Sequence, residues 1–190
     1  MIVIIGVGAL GSHLAQSVRN VKVPIRLIDF DRVEIRNTTS QWHGKMFVGQ
    51  NKAKALQQAL QGMFGLKVDA SPYRLTADNA DALLRGATLI VDCTDNKATR
   101  DLIQVYARAQ NIQCVHGALA AAGQQFARVI WTDRFKSDQE EPGATTCEDG
   151  EDLPFICSAA AVLAETVRHF LATGEQRSWQ ITPNGQMRVA

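Results

Sequence analysis

The stretch from Ile2 to Gln41 constrains the fold more tightly than any other part of this 190-residue chain. Ile2-Val3-Ile4-Ile5 is a short apolar run, read as a buried strand because glycine bounds it at once. It passes into Gly6-Val7-Gly8-Ala9-Leu10-Gly11 and then into a helical pattern over about residues 9 to 20. A second apolar run, Ile25 to Ile28, ends in Asp29-Phe30-Asp31. Strand, glycine turn, helix, strand and acid, in that order, make the nucleotide-binding half of a Rossmann-like unit. Gly6 supports the tight turn, Gly8 lets a ligand's oxygens approach the main chain, and Gly11 lets helix and strand pack closely. The helix N-terminus facing the turn attracts phosphate through its unpaired N–H groups and its dipole. Asp29 falls about twenty positions after Gly6, the usual separation for a ribose-binding acid.

Downstream the pattern stays α/β. A helix is expected over about 50 to 61, with Lys52 near its start. A cation there opposes the helix dipole, so the side chain either reaches solvent or meets an anion. Leu66 to Ala70 reads as a third strand, Asp78 to Leu84 as a short helix stopped at Gly86, and Thr88 to Val91 as a buried strand. That strand runs into Asp92-Cys93-Thr94-Asp95-Asn96, where Thr94 or Asp95 can cap the next helix, about 97 to 109. Ile112 to His116 is a further strand, and Gln124 to Trp131 another, antiparallel because no helical crossover precedes it. Residues 138–152 hold seven acids and no base, and read as a flexible acidic loop over one face. Leu153 to Leu171 reads as an alanine-rich helix, and Ser178 to Val189 as a hairpin turning at Pro183-Asn184-Gly185. The expected fold is therefore α/β. One Rossmann-like domain spans 1–190, with a mostly parallel sheet, helices on both faces, antiparallel edge strands and a C-terminal hairpin.

Composition removes several function classes. Twenty basic and 19 acidic residues leave a formal charge of +1, so no global field argues for nucleic acid. No unbroken apolar run approaches the length of a membrane span, and Met1 leads straight into the first strand without a signal segment. The four cysteines, at 93, 114, 147 and 157, form neither a disulfide framework nor a zinc knuckle. A reducing cytoplasm is the expected setting. Cys93, Cys114 and Cys157 read as core residues, and His116 as a structural histidine at a strand end.

Three groups of residues converge on one sheet edge: the glycine turn, Asp29 with Asn37, Gln41 and Lys52, and Asp92 with Asp95. A dinucleotide needs the first group and Asp29, but not the lysine, the asparagine and the further acids. A nucleoside triphosphate does need them. Lysine offsets phosphate charge, asparagine donates to a phosphoryl oxygen, and aspartate holds Mg²⁺.

In this ordered set the sequence resembles the ThiF/MoeB-like adenylating enzymes that activate ubiquitin-like proteins, in particular sulfur carriers. The matching pieces are Gly6 to Gly11, Asp29 to Val33 with Asn37 and Gln41, Gly49 to Ala53, Asp92 to Asn96 with Arg100, His116-Gly117, and Thr146-Cys147. The resemblance implies that Gly6, Gly8, Gly11, Asp29, Asp31, Asn37, Gln41, Lys52 and Asp95 bind ATP. Asp29 would hold the ribose hydroxyls, Asn37 and Lys52 the phosphates, and Asp95 the Mg²⁺. It further implies a homodimer that adenylates the C-terminal glycine carboxylate of a ubiquitin-like carrier protein and releases pyrophosphate. Lys52, Asn37 and Asp95 would be the catalytic set, and Cys147 matches a cysteine that some relatives use for sulfur or thioester transfer.

The sequence also departs from the family pattern. Ser40 stands where the family has an arginine just before the glutamine, and a serine brings no positive fork to a triphosphate. The paired zinc cysteines are missing, and the chain opens on its first strand without the family's N-terminal helices. Two other readings therefore stay open: a catalytically degenerate nucleotide-binding or assembly module of the same fold, and an NAD-linked oxidoreductase. Asp29 and Asp95 have plainer alternatives as a strand-end cap and a helix cap, Lys52 as a solvent-facing lysine, and Cys147 as an unactivated thiol.

Overall fold

A computed structural model describes residues 1–120, 125–133, 135 and 152–189. Its first half alternates strand and helix: β1 (Ile2–Ile5), α1 (Ala9–Ser17), β2 (Ile25–Ile28), α2 (Lys52–Phe64), β3 (Asp69–Ser71), α3 (Ala80–Leu84), β4 (Leu89–Asp92), α4 (Lys97–Ala109) and β5 (Gln113–Leu119). Then come β6 (Ala127–Trp131), α5 (Leu153–Thr173), β7 (Ser178–Thr182) and β8 (Gly185–Val189). Two short 3₁₀ turns, Ile35–Thr39 and Lys45–Phe47, occupy the long connection after β2.

The described strands form one sheet in the order β3-β2-β1-β4-β5-β6-β7-β8. From β3 to β5 all neighbours are parallel; β6, β7 and β8 add antiparallel pairs, the last two as a hairpin. The chain leaves β1 toward β2 and β3, then returns to lay β4 on the other side of β1. The strand order reverses between β1 and β4, and the carboxyl ends of strands at such a point leave a crevice. That crevice is where the glycine turn and the Asp92–Asn96 loop meet.

Side-chain alternation splits the core in two. Ile2, Ile4, Leu27, Leu89, Val91 and Val115 face α1, α2 and α5, whose Leu14, Leu56, Leu60 and Leu163 close over them. Val3, Ile5, Ile28, Ile90 and Cys114 face α3 and α4 through Leu84, Ile103 and Ala107. Helices therefore cover both faces. By length and composition α5 is apolar enough to cross a membrane. Its Phe155, Ile156, Ala159, Ala160, Leu163 and Val167 are instead buried in the protein core. The alanines let it lie close to α1 and the sheet.

Some boundaries differ from expectation for local reasons. Gly65, in the left-handed region at φ 65°, ends α2, and Leu66 N–H donates back to Leu60 O at 3.3 Å. Leu66 thus belongs to the helix cap, and Gln57 Nε2 takes Val68 O at 2.6 Å, so β3 starts only at Asp69. The cap of α4 is Asn96, whose Oδ1 accepts from Thr99 N–H at 2.9 Å, and not Thr94 or Asp95. Cys157 is exposed rather than core, whereas Trp131 is fully buried. The acidic loop of 138–152, except Asp152, lies outside the described residues.

Leu163 is fully buried on α5. Leu163→Ala should lower unfolding free energy by about 2–5 kcal/mol through lost transfer energy and a residual cavity. Urea denaturation measures it; an unchanged midpoint would mean that α5 does not pack on the sheet.

Candidate functional site

Asp29 ties the glycine turn to the end of β2. One carboxylate oxygen accepts from Val7 N–H at 2.7 Å and the other from Asp31 N–H at 2.9 Å. The group is 8 % exposed. Burial pushes its pKa up, while both amide bonds and the nearby Lys52 charge pull the other way. In the turn itself the three glycines differ. A Cβ on Gly11 would sit 1.9 Å from Gly6 O, and one on Gly6, at φ +81°, would sit 2.9 Å from Cys93 O. A Cβ on Gly8 would meet only the Gln41 amide, at 3.9 Å. Gly6 and Gly11 are demanded by packing; Gly8 keeps the cavity open.

The connection after β2 folds back onto this turn. Asn51 caps α2 by accepting from Lys54 N–H at 3.1 Å, and its Nδ2 donates to Asp29 O at 2.7 Å and Asp31 O at 3.1 Å. Lys52 is therefore delivered beside β2. It is 8 % exposed, and its Nζ lies 3.5 Å from the Asp31 carboxylate. The anion that a lysine at a helix N-terminus requires is supplied from within the chain. Asn37 is buried in the first 3₁₀ turn, where its Oδ1 accepts from Glu34 N–H at 2.8 Å. What it has left for a ligand is its Nδ2 donors. Gln41 Oε1 is buried without a hydrogen-bond partner. Ser40 is fully buried, and its carbonyl contacts His13 Nε2 at 3.0 Å. His43 Nε2 contacts Val7 O at 2.8 Å, so this segment also braces the glycine turn from outside. Burial lowers the His43 pKa to about 4 and also lowers that of His13.

The other rim is built on a buried polar chain. Asp92 accepts from His116 Nδ1 at 2.7 Å, and His116 Nε2 meets Thr132 Oγ1 at 2.7 Å. The second Asp92 oxygen accepts from Thr94 N–H and its hydroxyl at 2.9 and 2.7 Å. Asp92 and His116 are essentially inaccessible, so they hold the loop rather than meet a ligand. Arg100 grips Thr94 O through Nε and a terminal nitrogen. Asp95 is left exposed on this loop.

These rims enclose a cavity of about 630 Å³, a size suited to a nucleotide. Gly6, Gly8, Asp29, Asp31, Asn37, Gln41, Lys52 and Asp95 all line it; Gly11 lies beneath and Cys147 lies outside the described residues. Phe30 and Arg32, quoted in the matching stretch but given no role, line it as well, as do Arg36, Tyr73, Arg74 and Thr99, which the sequence reading did not single out. Arg74 belongs to a segment about forty residues beyond Phe30 in sequence, and only the β2–β3 pairing brings it over the Phe30 ring, 3.5 Å from the centroid. The bracing role of Asn51 was accessible, since an asparagine before a helix is a cap signal. Among the described residues no cluster of three or more His, Cys, Asp and Glu makes a protein cage for a metal. Asp95, an exposed carboxylate that lines the cavity with Asp31 and Glu34, is the residue that would hold Mg²⁺, an ion that keeps waters and shares a substrate's phosphates. Burial holds the thiols of Cys93 and Cys114 well above their ordinary range and raises that of Cys157.

A sequence model of the ThiF family matches residues 1–176. The chain belongs to the ThiF family. Molybdopterin-synthase adenylyltransferase of Escherichia coli is 31% identical over 191 residues, covering 95% of this chain and 76% of that protein. Sulfur carrier protein adenylyltransferase of Thermus thermophilus is 36% identical over 121 residues, 62% of this chain and 45% of its own length. A probable adenylyltransferase/sulfurtransferase MoeZ of Mycobacterium tuberculosis is 30% identical over 187 residues, 91% of this chain and 47% of that protein. The chain thus spans about half the length of these last two ThiF-family relatives. In fold it is similar to E. coli MccB solved with ATP: TM-score 0.77, 17% identity, covering 99% of this chain and 62% of that one.

Gly8→Ala should leave stability within about 1 kcal/mol of the parent, whereas Gly11→Ala should cost about 3 kcal/mol or more by overpacking against Gly6 O. Denaturant midpoints for the two variants check this; equal losses would mean that Gly8 too is a packing glycine. The unfolded chain protonates His43 near 6.5 and the folded chain only near 4. As pH falls through that window the unfolded state binds the extra proton, so stability is lost, by up to about 3 kcal/mol, and levels off below it. Thermal unfolding of His43→Gln against pH should show a flatter acid limb; an identical limb removes His43 as its source.

Proposed function

We propose that the chain is an ATP- and Mg²⁺-dependent adenylating enzyme acting on the C-terminal glycine carboxylate of a ubiquitin-like carrier protein, as a homodimer in the cytoplasm. The observation that carries the reading is the common cavity lined by Gly8, Asp29, Asn37, Lys52 and Asp95. In this reading residues 1–190 act as one nucleotide-binding domain. Asp29 has both oxygens anchored by backbone amides and turns its remaining acceptor capacity to ribose hydroxyls. Lys52 exchanges Asp31 for phosphate oxygens, and Asn37 donates through Nδ2. Mg²⁺, when bound at Asp95, supplies charge neutralisation of the β- and γ-phosphates.

The carrier's carboxylate oxygen forms a bond to the α-phosphorus, and the bond from that phosphorus to the bridging oxygen breaks. Acyl-adenylate and pyrophosphate result. No protein nucleophile is required, so the chain's contribution is alignment and charge. Family membership and the adenylyltransferase names of the relatives support the reaction class. A second reading, a nucleotide-binding module without turnover, is favoured by one observation: Ser40 is buried and lines no part of the cavity. An NAD-linked enzyme would have no use for Lys52 and Asp95 in the cavity.

ATP–pyrophosphate exchange with a carrier ending in glycine should be Mg²⁺-dependent and should fall by about 100-fold in Lys52→Ala. ATP binding without exchange for any such carrier would replace the enzyme by the module reading. Tight NAD binding in place of ATP would reject both.

A further inference from the structure

We propose that Phe30 and Arg74 form the platform on which the base of the nucleotide stacks, an assignment that rests on the nucleotide reading above. The groups lining the cavity follow the order of the strands beneath it. Tyr73 and Arg74 come after β3, Asp29 and Phe30 after β2, the glycine turn after β1, and Asp95 after β4. Neighbouring strands lie about 4.8 Å apart, so the ends of β3 and β4 are separated by about 14 Å of sheet. With the ribose at Asp29 and the phosphates at the glycine turn, the base falls on the side of β3. That end suits an apolar, flat group. Ile28 and Leu75 line the cavity there and are buried, and Phe30 stands beside them.

Phe30 is 42 % exposed, and the Arg74 guanidinium carbon lies 3.5 Å from its ring centroid. That is the contact distance of two flat groups lying face to face. Arg74 is itself exposed, so the stacked pair keeps surface open to a ligand. A base stacks on an aromatic ring or on a guanidinium plane, and the cation adds attraction to a π-face. Both members stand on pinned main chain. Asn79 Nδ2 donates to Arg74 O at 2.9 Å, while its Oδ1 accepts from Thr76 N–H at 2.8 Å. Phe30 sits between Asp29 and Asp31, whose carbonyls both accept from Asn51. The platform is thus assembled before a nucleotide arrives, which lowers the ordering cost of binding.

Calorimetry with AMP, ATP and inorganic tripolyphosphate, each with Mg²⁺, tests the assignment. Arg74→Ala should weaken AMP and ATP by the same factor, about tenfold, and leave tripolyphosphate within about twofold. Arg74→Lys should do little better, because it keeps the charge and loses the plane. Phe30→Leu should lose a similar factor, and Phe30→Tyr should keep the parent's affinity because it keeps the ring. A larger loss for ATP than for AMP, or full recovery in Arg74→Lys, overturns the proposal, since Arg74 would then meet phosphate as a charge. An equal loss for tripolyphosphate also overturns it, because the effect would then come from a distorted cavity. So does unchanged nucleotide affinity in Arg74→Ala and Phe30→Leu. A parent chain that binds neither AMP nor ATP rejects the nucleotide reading and the platform with it, an outcome distinct from the others.

Discussion

The carboxylate of Asp29 is the constraint on which the upper edge of the sheet depends. Its two oxygens hold Val7 N–H and Asp31 N–H, and so couple the glycine turn after β1 to the chain leaving β2. Asn51 then fastens on the carbonyls of Asp29 and Asp31, which fixes where α2 begins and where Lys52 emerges. His43 closes the arrangement on the carbonyl of Val7. The glycine turn, the lysine and the 3₁₀ segments are thus tied together around one buried acid and its neighbouring main chain. Burial makes that acid costly to ionise, and the amides around it offset part of the cost.

The opposite rim follows the same logic with a different outcome. Asp92 ends β4 and Asp95 lies three residues on in the loop that follows, yet burial separates their tasks. Asp92 is enclosed, shared between His116 and Thr94, and serves to set the loop's shape. Asp95 remains at the surface of the cavity. A carboxylate with no accessible surface and three accepted hydrogen bonds is closed to a ligand, so the exposed one is the chemically available group. Phe135 stacks on the His116 ring at 4.1 Å between centroids, which helps to keep water from the polar chain.

Much of this was legible because it is local. The glycine turn, its strand and its helix lie within one short stretch, and the tight turn expected at Gly6 and the close packing expected at Gly11 match the space around each. Parallel and antiparallel strands followed from whether a helical crossover joined them. The misplaced features were of another kind. The start of β3 moved because Leu66 and Val68 were already engaged by the cap and by Gln57. The α4 cap fell to Asn96 because Thr94 was taken by Asp92. In both cases neighbouring polar groups competed for the same backbone, and the winner depends on geometry that a residue pattern does not contain.

The sequence by itself determined the mostly parallel sheet with helices on both faces, the antiparallel edge and the family, because these rest on periodicity, turn chemistry and ordered motifs. Only the tertiary structure decided which charges face the crevice. Arg36 lies in the first 3₁₀ turn and Ser40 caps its end, and no pattern along the chain shows that one lines the cavity and the other is fully buried. Lys52 meets Asp31 because Asn51 fastens the start of α2 to the chain after β2, and Arg74 meets Phe30 because β3 pairs with β2. The physical reason is that charge placement is set by burial and by long-range contact, whereas strands, helices and turns are set largely by neighbours along the chain.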